Sequence, residues 1–236
     1  MDTWSETVLT RELLYPYLAL SFTLMTTVFH HRSLRRGRDD LQAFLLYFCA
    51  FFLFFLIIPL VLIMWSASDP AAFLRSAGLS LGRTGLGLAL SAAAVPVCLV
   101  AAFLGSRDPA MREQYPFAKT ACRTPATFIA YEAAYLLLYY LPWEFLYRGL
   151  LFLALVPALG LAPALALQTA ISTIHHFGHP DTEIWAACGA GFVFGLVAWI
   201  TGSFLYTVFI HALVGMATDT FMCLRRRRLR TAENGQ

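Results

Sequence analysis

The chain has 236 residues, of which 59% are hydrophobic and 13% charged, and its formal net charge is +3. A soluble domain carries about 25% charged residues, so this composition excludes an ordinary water-soluble enzyme. It implies an all-α polytopic membrane protein, because backbone that crosses a bilayer must satisfy its own hydrogen bonds. The positive charge collects in Arg32, Arg35, Arg36 and Arg38, and in Arg225 to Arg228 with Arg230. Each cluster abuts the end of an apolar run, which reads as a cytosolic flank under the positive-inside rule and not as a nucleic-acid contact.

In chain order, Met1 to Thr10 is polar, has no early basic region and shows no cleavable signal peptide. Leu13 to Phe29 is a first span and Leu41 to Trp65 a second, with Trp65 at an interface. Ser66 to Arg83 is a polar connection in which Ala71 to Leu81 is expected along the membrane surface. Gly85 to Leu104 is a third span, rich in Gly and Ala, where neighbouring helices can approach closely. Ser106 to Pro125 carries Arg107, Arg112, Lys119 and Arg123 and reads as a cytosolic loop.

From Ala126 the chain is apolar to Pro157, too long for one straight crossing. Pro142 is the expected kink, and Ala158 to Pro163 a turn. Ala164 to His176 is the next span and leads into the polar stretch Gly178 to Glu183. Ile184 to Ile200 and Phe204 to Leu224 complete a set of seven. That number puts the N-terminus outside and the C-terminal arginines in the cytosol. The chain divides into N-terminal spans and loop (1–125), a polar-centred core (126–224) and a basic tail (225–236), with Thr231 to Gln236 expected to fray. Cys49, Cys98, Cys122, Cys188 and Cys223 have no metal-site spacing and read as packing residues.

Few ionisable groups interrupt the apolar runs: Glu132, Glu144, Arg148, His175, His176, His211 and Asp219. A charge at the bilayer centre costs about 2.5–3.5 kcal/mol on insertion scales, and such residues usually mark a site. Glu144 and Arg148 are spaced i, i+4 on one helical face. Glu144, His176 and His211 lie on three different late spans. One carboxylate and two imidazoles can activate a water, or they can ligate a metal that lowers that water's pKa. Zinc on His176 and His211 is the metal alternative, although the sequence has no His-Glu-x-x-His motif. Considered singly, Glu144 and Arg148 could be only an internal ion pair, and His179 and Glu183 a solvated loop pair.

The order of a Glu-x-x-x-Arg-Gly helix, a span ending in His and a last span carrying His resembles the type II CAAX prenyl protease and bacteriocin-processing (Abi or CPBP) family of intramembrane proteases. The resemblance covers Thr127 to Asp219. It implies that Glu144 and Arg148 match the second Glu and the Arg of the family's Glu-Glu-x-x-x-Arg motif. His176 matches the second-motif histidine, with His175 as the competing register, and His211 the third. His176-Phe177-Gly178-His179-Pro180-x-x-Glu183 and Trp-Glu-x-x-x-Arg-Gly are similar to a branch of the family. Three positions depart from the pattern. Trp143 stands where the family has the Glu usually taken as the water-activating base, Ser172 replaces a Phe, and Gly215 replaces an Asn-like residue of the oxyanion site.

The implied activity is an endopeptidase in a multi-pass bacterial inner (plasma) membrane, C-terminus in the cytosol, acting on a membrane-anchored peptide or protein. Glu144 would activate a water shared with His176, and His211 would donate to the oxyanion; Glu183 is an alternative source of the carboxylate. The rival readings are a catalytically silent relative that binds a membrane peptide or partner, and a proton-coupled transporter. One geometric demand follows. Glu144 is about 18 residues, or ~27 Å, from the cytosolic start of its run, whereas His176 lies at the cytosolic end of its span. A kink, a tilt or a later membrane entry has to bring them together.

Overall fold

The computed structural model describes residues 3–29 and 31–234. The described residues are mainly helical, with no strand. The long elements are α1 (Thr3–Thr26), α2 (Asp40–Ser66), α3 (Thr84–Gly105), α4 (Pro125–Leu159), α5 (Leu161–Ile174), α6 (Asp181–Thr201) and α7 (Leu205–Asn234). Local chemistry sets several of the starts. Asp39 caps α2 by accepting from the Gln42 N–H. Thr124 and Thr127 form a reciprocal capping box ahead of α4, with Pro125 as its first residue. Asp181 and Glu183 place negative charge in the first turn of α6.

Among the described residues, five helices are long and apolar enough to cross a bilayer: α2, α3, α4, α6 and α7. The expected number of seven is therefore not reached by that measure. At 14 residues, α5 reaches only ~21 Å, short of a ~30 Å hydrocarbon core. It ends at Ile174, so His176 stands just past the helix and not within it. The first expected span lies within α1, whose early turns carry Arg11 and Glu12.

The polar helix is the central one. In α4, 67% of the most apolar window is buried inside the bundle, against 22% in α3. Pro142 does not break α4. Wider π-helical turns lie on both sides of it, at Leu136–Tyr140 and Phe145–Leu153, where the missing proline N–H and added residues loosen the backbone ladder. Around α4 runs an aromatic core: Phe48 stacks on Tyr135 at 4.7 Å and Phe51 on Trp143 at 5.8 Å between ring centroids. The close approach expected of the Gly-rich span occurs between α3 and α7, where a Cβ on Gly87 would overlap the Tyr206 ring.

The connection after α2 forms a short helix, Pro70–Ser76, followed by the buried Ala77 and by Gly78, which accepts from the Phe204 N–H at 3.4 Å, while Leu79 and Leu81 stay exposed at that end of the bundle. Two stretches differ from expectation. Cys122 and Cys223 are joined as a disulfide, linking the loop before α4 to α7, so these two are not simple packing residues. The expected frayed tail is helical through Asn234, while its last residues, 235–236, lie outside the described ones.

Both basic clusters belong to the other end of the bundle. Arg35 donates to the Phe117 carbonyl at 3.2 Å and Arg226 to the Arg112 carbonyl at 3.2 Å. The loop from Ser106 to Pro125 is thus held between the two arginine groups.

Candidate active site

The helices α4 and α5 form a hairpin about Gly160, whose φ of +83° suits the turn. Trp143 lies 17 residues before that glycine and His176 lies 16 after it. Residues equidistant from a hairpin turn are level, so His176 returns to the depth of Trp143. Their rings make an edge contact at 5.1 Å. The ~27 Å separation expected from the sequence therefore does not exist: depth is set by the distance to the turn and not by the distance from the start of the run.

Glu144 is fully buried. Its Oε1 lies 2.6 Å from His211 Nδ1, and its Oε2 lies 3.2 Å from Arg148 Nε. The structure brings together the carboxylate, the guanidinium and the third-motif imidazole. With Nδ1 donating to Glu144, His211 keeps Nε2 for the cavity that it lines. Glu144 is not among the residues lining that cavity.

His176 and His175 separate cleanly. His176 Nδ1 donates to the Ser172 carbonyl at 2.8 Å, which leaves Nε2 as the acceptor in the neutral ring. Burial pushes its pKa down to about 4, so the ring is neutral at physiological pH. His176 lines the cavity. His175 instead packs among Phe22, Phe51 and Trp143, with its Nδ1 2.6 Å from the Tyr147 hydroxyl.

The second acidic group comes from the first turn of α6. Glu183 Oε1 is 2.9 Å from His179 Nδ1 and accepts a short hydrogen bond from the Tyr115 hydroxyl. The two side chains are only 14% and 11% exposed, so they are not a solvated pair. Burial first, and the Glu183 carboxylate second, hold the Tyr115 hydroxyl well above its usual pKa and keep it a neutral donor. The Thr182 hydroxyl donates to Asp108 Oδ2 at 2.8 Å, tying this turn of α6 to the loop after α3. That bond also holds the Asp108 carboxyl below its usual range.

His176, His179, Glu183, His211, Arg148 and Trp143 meet on one cavity of about 670 Å³. Its remaining wall is largely apolar and comes from α3, α4, α6, α7 and the loop before α4. Val97, Leu104 and Val193 line it and are 67%, 58% and 53% exposed, so the cavity reaches the outer face of the bundle between α3 and α6. No group of three or more His, Cys, Asp or Glu side chains arranged to hold a metal occurs among the described residues. Zinc on His176 and His211 would need a third ligand besides these two.

Residues 125–217 match the family model described as Rce1-like, type II CAAX prenyl endopeptidase. Over those residues the chain is similar to the Rce1-like family. The match nearly coincides with Thr127 to Asp219, the stretch that carries the resemblance. No curated protein and no solved structure matches the chain.

Two residues of the Rce1-like segment and its surroundings carry no signal in the sequence. Tyr115 is one residue of a featureless loop. Tyr140 is one more aromatic among many, yet its ring lies 4.8 Å from that of His211. A Cβ on Gly215 would overlap its hydroxyl. The absent side chain at Gly215, one turn after His211, is the mark that could have pointed to a large neighbour there.

Proposed function

We propose that the chain is an intramembrane endopeptidase that hydrolyses a peptide bond in a membrane-anchored peptide or protein of CAAX type. The observation that carries this reading is the shared cavity: imidazoles from the end of α5 and from α7 converge in it, and its apolar mouth opens on the lipid-facing side. A chain anchored in the bilayer can enter between α3 and α6 without leaving the membrane. A silent binder would need the apolar mouth but not three imidazoles and two carboxylates, each of which is costly at this depth.

In this mechanism His176 Nε2 accepts a hydrogen bond from the attacking water. His211 Nε2 donates to the carbonyl oxygen as it becomes an oxyanion. The buried Glu144 carboxylate holds His211 by Nδ1 and stabilises its imidazolium, while Arg148 balances the carboxylate's charge. The Tyr140 hydroxyl stands in the space that Gly215 leaves open and is the second donor to the oxyanion, where the family resemblance implies an Asn-like amide.

The arginine-bearing end is assigned to the cytosol, which places the site below that face. The test is mass spectrometry of S-farnesyl-cysteine peptides incubated with the purified protein in liposomes. Cleavage by wild type that is lost in His211→Ala is expected. Peptide retained but uncut by wild type would favour the silent binder.

A further inference from the structure

The Rce1-like segment has Trp143 where the family resemblance places its water-activating Glu, and the cavity wall there is an indole. A carboxylate that meets the water must then come from elsewhere on the same wall. Glu144 is adjacent in sequence, but it has no exposed surface, and its two oxygens face His211 and Arg148. It is also absent from the cavity lining.

Glu183 lines the cavity. Its Oε1 is fixed by Tyr115 and His179. Its Oε2 is buried and has no hydrogen-bond partner. A buried acceptor left unpaired is disfavoured, so this atom is held without internal compensation. His179, one of its partners, lies with its ring 5.5 Å from that of His176. Glu183 and His176, from opposite sides of the loop between α5 and α6, are thus neighbours around one small volume. A fixed carboxylate with one occupied and one unpaired oxygen is the arrangement a general base requires.

We propose that Glu183 is the general base: its Oε2 takes a proton from the water held at His176 Nε2. The water oxygen forms the new bond to the carbonyl carbon, and the electron pair of the C=O bond moves to the oxygen stabilised by His211. On collapse the C–N bond breaks, and Glu183 returns the proton to the departing amine. Tyr115 and His179 are positioning residues that orient Oε1. This inference rests on the endopeptidase reading above.

The experiment uses full-length protein in phosphatidylethanolamine–phosphatidylglycerol liposomes with the S-farnesyl-cysteine peptides as probe. Glu183→Gln keeps an acceptor for Tyr115 and should elute and melt as wild type does, while turnover falls about 10²–10⁴-fold. Glu183→Ala should recover at least tenfold with added formate, which fills the vacated carboxylate position. Glu144→Ala should not recover, because its position is closed to the cavity. Wild-type cleavage with Glu183→Gln within threefold, or no formate recovery in Glu183→Ala, overturns the assignment and leaves the endopeptidase reading standing. Failure of wild type to cut any probe removes that reading, and this one with it.

Discussion

The helices α3 and α4 are both apolar enough to cross a membrane, yet they are used in opposite ways. The window of α4 is three times as buried as that of α3, and α4 as a whole carries Glu132, Glu144 and Arg148, whereas α3 carries no charge. Hydropathy alone ranks α3 as the better span. The difference teaches that in a bilayer the less apolar helix goes to the middle, where its polar groups find partners and lipid does not meet them. The helix with the plainer surface goes outside and borders the mouth of the cavity.

The sharpest way to break this contrast is Arg148→Ala. It strands the fully buried Glu144 carboxylate, and the loss expected on breaking a buried pair is about 3–5 kcal/mol, read as a lower unfolding midpoint in detergent. Glu144→Ala in the same protein should restore part of it, since no uncompensated charge then remains.

Acid should act next. His176 has its pKa lowered to about 4 by burial, against about 6.5 for an unfolded histidine. Between these values the unfolded chain binds the extra proton. Stability from this group is therefore complete above about pH 6.5 and declines as pH falls toward 4, by up to about 3 kcal/mol. Denaturation series at several pH values should show this slope in wild type and a flatter one in His176→Gln.

Gly215→Ala sharpens the contrast on the facing helix. Its Cβ overlaps the Tyr140 hydroxyl, and overpacking of this kind costs about 1–3 kcal/mol. Adding Tyr140→Phe should regain stability without regaining turnover, which separates the space the hydroxyl fills from the donor it supplies. The smallest effect is expected on α3. Val97 is 67% exposed, so Val97→Ala should move the unfolding midpoint by no more than about 0.5 kcal/mol, while altering the rate at which peptides of different anchor length are cut.

Much of the site is legible in the sequence. Glu144 with Arg148 at i, i+4, and the two histidines later in the chain, stand out because charge in an apolar run is rare. The depth of His176 is misjudged from sequence for a specific reason. Chain distance counts from the loop before α4, whereas the hairpin turn at Gly160 sets the level at which α5 meets α4. Tyr115 is invisible because a tyrosine in a basic loop carries no periodic or compositional mark. The pairing of Cys122 with Cys223 is invisible because it joins positions 101 residues apart in sequence.

By itself, the sequence determined that the chain is a helical membrane protein, that the ionisable residues within its apolar runs lie in the second half and that its basic stretches flank apolar runs. Those are consequences of transfer free energies, which add along a chain and need no contacts. Only the tertiary structure decided which polar groups share a volume: that His211 holds Glu144, that His175 turns into an aromatic cluster while His176 faces the cavity, and that Glu183 in the first turn of α6 meets Tyr115. These depend on helix rotation and hairpin register, in which a shift of one residue turns a side chain by about 100°.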